Sequence, residues 1–157
     1  MCDILYVLYY GIMIAPVFVS DVLTTNVSGL IETCPVLYYG WALAISCMMV
    51  VPQWHEKKAR PLLGTAGVLF VLSCVVPWKP WLPGWVKDIH VWGQIAGIVL
   101  CSLTRLPGLV FSHENRAYFF LLGISFTLMC LGGQVTGLSE IVFGVGLGLI
   151  TQFHIRR

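Results

Sequence analysis

Six stretches of this chain run for 15 to 22 residues with no more than one charged side chain apiece: 4–23, 36–51, 62–76, 90–111, 117–131 and 138–153. An α-helix needs about 20 residues to cross the roughly 30 Å of bilayer hydrocarbon, within a working range of about 17 to 25. The expected fold is therefore all-α, a polytopic transmembrane helical bundle with six spans and short loops. Spans 2, 3, 5 and 6 are short and must draw on flanking residues to reach across. Composition agrees: 58% of the 157 residues are hydrophobic and 10% are charged, where a soluble domain carries about a quarter charged. The connections 24–35, 52–61, 77–89, 112–116 and 132–137 are too short to fold alone, so residues 1–157 form one integral-membrane domain.

Charge placement supplies an independent test. An even number of spans puts Lys57, Lys58, Arg60, Arg105, Arg116, Arg156 and Arg157 on one side and leaves Lys79 and Lys87 on the other. Basic residues in short loops favour the cytoplasmic side, so both termini are expected to be cytoplasmic and the membrane to be the cell membrane. The first apolar run lacks a basic n-region and a small-residue cleavage pattern, and is expected to be retained as a span. The net charge of +2 offers nucleic acid no electrostatic footprint.

Between the third and fourth runs lies Pro77-Trp-Lys-Pro-Trp-Leu-Pro-Gly-Trp-Val-Lys-Asp-Ile-His-Val-Trp-Gly-Gln94. Tryptophan favours the membrane–water interface and proline ends helices. The stretch thus reads as an outer ledge dividing the chain into two halves of three spans. The halves share no residue-level similarity, and Pro16 and Pro107 sit at unmatched depths, which argues against an inverted repeat. Glycines at helical spacing (Gly93 and Gly97; Gly144, Gly146 and Gly148) permit close helix packing. The six cysteines form no CxxC pair and read as small apolar residues. Cys34 stands apart in a loop, within reach of Cys74 or Cys130 for a bridge.

Ionisable residues inside a membrane are functional candidates because charge in hydrocarbon is costly. Arg105 is the deepest cation, placed to anchor at the interface or to contact a headgroup or another anion. On the outer side, Asp21 closes span 1, Asp88 and His90 enter span 4, Gln94 lies one turn further in, and Glu140 opens span 6. Thr24, Thr25, Asn26, Glu32, Gln134, Thr136 and Ser139 map nearby. A ligand cleft open to that side is the functional reading, with Trp81, Trp85 and Trp92 as apolar walls. Helix capping and solvation are the bland alternative. His55, His113 and His154 fall outside the spans, so no haem pair forms at matched depth. No HExxH or HxxxH spacing points to a metal, and no cofactor motif or nucleophile motif occurs. Asn26-Val27-Ser28 fits a glycosylation sequon.

Two local patterns resemble known families. Lys79-Pro-Trp-Leu-Pro-Gly-Trp-Val86 with Val91-Trp-Gly93 resembles the Trp/Pro loop of the tryptophan-rich sensory protein / translocator family, which implies porphyrin or sterol binding. That family carries the loop after the first of five helices. The whole layout, with Ile89-His90 entering span 4 and Gly137 to Glu140 opening span 6, is similar to the DRAM/Frag-like group of six-span proteins, which implies a fold more than a chemistry. The function expected is non-enzymatic binding or carriage of a small or lipidic molecule. The alternatives are a structural or regulatory subunit, meeting a membrane-protein partner or its own copy through glycine-rich spans 4 and 6, and a membrane-embedded lipid-modifying enzyme.

Overall fold

A computed structural model describes the chain except for residues 1, 24–25, 77–80, 133–134 and 156–157, and the side chains of residues 2, 3, 154 and 155. Expectations resting on Thr24, Thr25, Lys79, Gln134, Arg156 and Arg157, or on the side chains of Cys2 and His154, lie outside the described residues. The described chain is all-α: α1 (Cys2–Ile14), α2 (Pro16–Val19), α3 (Leu30–Thr33), α4 (Pro35–Val50), α5 (Arg60–Val75), α6 (Gly84–Arg105), α7 (His113–Gly132) and α8 (Gly137–Ile155).

Three helical stretches, Pro35–Gln53, Gly84–Gly108 and His113–Gly132, are long and apolar enough to cross a membrane. The apolar helices Ile4–Val19, Arg60–Val75 and Gly137–Phe153 are shorter. At 1.5 Å per residue, a helix of about 16 residues is about 24 Å long and falls short of the hydrocarbon thickness. Six runs are thus helical, and three of them reach spanning length on their own.

Proline sets most of the boundaries. Pro16 has no N–H and its ring collides with the carbonyl four residues earlier. The first run therefore breaks at Ala15 and resumes as α2, ending where Ser20 N–H donates to Pro16 O. Pro35 and Pro61 lie in the first turns of α4 and α5, where a missing N–H costs nothing. The largest departure from the sequence reading is at α6. It begins at Gly84, directly after Pro83, rather than at His90, and it ends at Arg105, where Leu106–Gly108 tightens into a 3-10 turn at Pro107. Much of the expected ledge is thus the first two turns of a helix.

Consecutive long helices run antiparallel. Gly93 and Gly97 of α6 lie against Ser73 and Phe70 of α5; Gly146 of α8 lies against Leu121 of α7; Gly144 and Gly148 of α8 lie against Met13 and Tyr9 of α1. An added Cβ at Gly148 would fall 2.5 Å from the Tyr9 ring, so glycine there lets α8 approach α1 as closely as it does. These faces are taken up inside the bundle. One core joins Met49, Leu63, Phe70, Cys101, Tyr118 and Leu147; a second joins Tyr9, Met13, Leu30, Tyr38 and Trp41. The bundle has two poles. The connections 51–59 and 106–112 share one with Lys57, Lys58, Arg60 and Arg116; residues 20–34, 81–83 and 135–136 share the other.

Candidate functional site

Residues 26–31 decide the architecture of the second pole. The sequence reading puts them in a hydrated loop, but Val27, Ser28, Leu30 and Ile31 are buried. The apolar character of Val27, Leu30 and Ile31 explains it: left exposed, each would forfeit roughly 1.5–3 kcal/mol of burial free energy. The Asn26 carboxamide oxygen accepts from Gly29 N–H at 2.9 Å and closes a 3-10 turn. Val27 N–H donates to Glu140 Oε2 at 2.6 Å, and Ser28 Oγ lies 3.1 Å from His90 Nε2. A few residues of chain are thereby tied to α8 on one side and α6 on the other. The Ser28 hydroxyl of the sequon is engaged in this fold.

His90 is buried and serves three elements at once. Its Nδ1 faces two carbonyl oxygens, Ser73 O at 2.6 Å and Val76 O at 2.9 Å. Carbonyls only accept, so Nδ1 carries a proton and donates, and in the neutral ring Nε2 accepts from the Ser28 hydroxyl. The carbonyls need this donor for a reason written in the sequence. Their helical partners four residues on would be Pro77 and Pro80, neither of which has an N–H. Gln94, one turn along α6, brings its amide nitrogen to 3.4 Å from the same Nε2.

Beneath residues 26–28 lies a cavity of about 690 Å³, walled by α4, α5, α6, α7 and α8. Asn26, Ser28, His90, Gln94, Ser139 and Glu140 form its polar end. The rest is apolar, with Trp41, Met49, Phe70, Phe119, Phe126 and Phe143 among the wall residues. Two polar atoms on wall side chains, Trp41 Nε1 and Ser125 Oγ, are buried with no hydrogen-bond partner. Ser125 is unusual here, since Ser46, Ser73, Ser102, Thr127 and Thr151 each bond to the carbonyl four residues back. Tyr38 Oη and Arg105 Nε, on side chains that do not line the cavity, are buried without a partner in the same way. The chain matches no protein-family model, no characterised protein and no solved structure.

Of the residues singled out from the sequence, His90, Gln94 and Glu140 meet at this cavity. Asp21 does not line it: Asp21 is exposed, and its Oδ1 accepts from Leu23 N–H at 3.1 Å. Asp88 is exposed on α6, away from the cavity, and Trp81, Trp85 and Trp92 are likewise exposed. The aromatic walls are Trp41 and the phenylalanines instead. Ser28, Trp41 and Ser125 carry weight that the sequence reading did not assign. Arg105 is buried away from this pole, its guanidinium carbon 4.4 Å from the centroid of the Tyr118 ring, while the Tyr118 hydroxyl meets Ser102 Oγ at 2.9 Å. Cys34, Cys74 and Cys130 are free thiols, and no bridge joins Cys34 to either of the others. Among the described residues no three His, Cys, Asp or Glu side chains converge as metal ligands. A shallower, apolar groove of about 410 Å³ runs along α5 past Gly64, Gly67 and Val71 and offers no polar group to orient a ligand.

Proposed function

We propose that this protein is a six-span membrane protein that binds a small amphipathic molecule in the 690 Å³ cavity, its head against His90, Gln94 and Glu140. The carrying observation is the pairing of an apolar chamber with polar side chains gathered at one end. Ligand sites are concave, mostly apolar, and oriented by a few placed polar groups. The cavity volume lies in the usual range of about 300–1,000 Å³ for such sites.

Six spans are favoured because the three shorter helices pack among the three long ones in a single bundle and therefore occupy the same slab. Flanking side chains and local thinning accommodate a shortfall of a few ångströms at modest cost. The basic pole then faces the cytoplasm together with both termini, and the polar end of the cavity lies towards the outer side. Labelling of cysteines introduced at residues 3 and 155 in intact cells tests this, since opposite accessibility of the two would remove the six-span reading.

The binding reading is tested by native mass spectrometry of the gently solubilised chain. The wild type is expected to carry a non-covalent small-molecule adduct, and Gln94→Leu to lose most of it while unfolding at the same temperature as wild type once both are stripped of the adduct. A bare chain that no amphiphile stabilises against heat would refute the reading.

A further inference from the structure

The wall of the cavity is uneven in a way that says how it is filled. On the α5 and α8 side Phe70 and Phe143 are buried. On α6, Val91, Ile95 and Val99 line the cavity and are also 40%, 43% and 49% exposed at the bundle surface; on α7, Phe126 lines it and is 64% exposed. α6 packs on α5 and α7 packs on α8, so the cavity reaches the surface along the seam between α6 and α7. Both are stretches long and apolar enough to span. The opening therefore faces acyl chains. The polar end, by contrast, is tied under residues 26–28.

The lining also restricts the head group. It contains one carboxyl group, Glu140, and no Lys or Arg. The N-terminus of α8 would draw an anion, but Glu140 in its first turn already answers that dipole. A phosphate or carboxylate head would meet Glu140 with no compensating cation. A hydroxyl can donate to the Glu140 carboxyl and accept from the Gln94 amide. From His90 to Val99 the α6 wall is about 14 Å deep at 1.5 Å per residue, room for a medium-length alkyl chain.

Resting on the binding reading above, we propose that the occupant is a bilayer-dissolved, single-chain amphiphile with an uncharged hydroxyl head, admitted sideways between α6 and α7. Gly123 gives a clean way to close this route. It lines the cavity on α7, and a Cβ added there meets nothing within 4 Å, so Gly123→Trp projects a plug without a backbone collision.

The experiment uses dodecan-1-ol bearing a diazirine on its chain, in phosphatidylcholine vesicles containing the whole protein. Photolabelling is expected on Val99, Phe126 or Met129, to fall by about tenfold in Gly123→Trp, to stay unchanged in Gly123→Ala, and to rise in Phe126→Ala, which widens the seam. Dodecyl phosphate with the same diazirine is expected to label these positions about tenfold less, the effect of roughly 1.4 kcal/mol. Equal labelling of Gly123→Trp and wild type, or no response to Phe126→Ala, overturns lateral admission. Equal labelling by the phosphate overturns the head-group assignment. If detergent-solubilised wild type still holds one dodecanol by native mass when the vesicle result fails, the cavity reading stands and this inference alone falls. If neither is seen, both fall.

Discussion

Replacing His90 with leucine keeps a side chain of similar bulk and removes both ring nitrogens. Its cost can be worked from the hydrogen bonds at each end of the ring. On the Nδ1 side, the carbonyls of Ser73 and Val76 lose their shared donor, and the prolines four residues on cannot replace it. A buried acceptor left unsatisfied costs about 1–3 kcal/mol. On the Nε2 side, the Ser28 hydroxyl loses its acceptor, worth about 0.5–1.5 kcal/mol. Interhelical hydrogen bonds in membrane proteins average nearer 0.6 kcal/mol, because the unfolded chain also finds partners there. Weighing these, His90→Leu is expected to destabilise by about 2 kcal/mol, close to a thirtyfold change in the folded-to-unfolded ratio. Ser28→Ala loses only the second contact and is expected to cost about 0.6 kcal/mol. The assay is reversible unfolding in mixed micelles with increasing dodecyl sulfate, run as a double-mutant cycle on both positions. The pair is expected to couple, with the double variant costing less than the sum of the singles. A His90→Leu variant within about 0.5 kcal/mol of wild type, the range of an ordinary surface change, would refute the claim that this ring caps α5 and holds residues 26–29.

Four further outcomes follow from the packing and hydrogen bonds of named residues. Gly148→Ala sets a methyl 2.5 Å from the Tyr9 ring, which is itself pinned by its hydroxyl to Gly144 O at 2.6 Å, so thermal unfolding should show about 1–3 kcal/mol of overpacking loss. The same change at Gly11, where an added Cβ meets nothing within 4 Å, should be neutral or stabilise by up to about 1 kcal/mol through helix propensity. Glu140→Leu removes the acceptor for Val27 N–H and should cost about 1–3 kcal/mol while speeding maleimide labelling of an Asn26→Cys variant; Glu140→Gln keeps an acceptor oxygen and should label at the wild-type rate. Ser125→Ala deletes a hydroxyl with no partner and should leave stability unchanged or raise it by up to about 1 kcal/mol without ligand, read from the unfolding midpoint.

The sequence made the apolar helices legible because hydrophobic length and proline punctuation are local signals. It also pointed to His90, Gln94 and Glu140, since polar side chains next to long apolar runs stand out. What it could not supply was the phase of α6. With residues 77–89 read as loop, Trp85 and Asp88 could face anywhere. Once the helix starts at Gly84, geometry decides: His90 and Gln94 are one turn apart on one face, while Asp88 and Trp92 lie two residues either side of His90, about 200° around. They turn outward for that reason. Ser28 was hidden differently. Its neighbours Val27, Leu30 and Ile31 are apolar, yet the segment is too short for a span, and only tertiary contact with α6 and α8 explains its burial.

The proline-rich ledge and the cavity are parts of one construction. Ending α5 with Pro77 and Pro80 close behind leaves two carbonyls without helical donors, a costly condition for acceptors beside a buried side chain. One imidazole answers both carbonyls, which fixes its proton on Nδ1 and directs the Nε2 lone pair at Ser28. Ser28 in turn holds the segment whose Val27 N–H orients Glu140. Backbone satisfaction at the end of α5 thereby sets the polar end of a chamber that α5 itself only partly walls. It follows that His90 and Glu140 report on folding and on binding together. Gln94 and Ser125, which touch the cavity without tying helices to residues 26–29, separate the two.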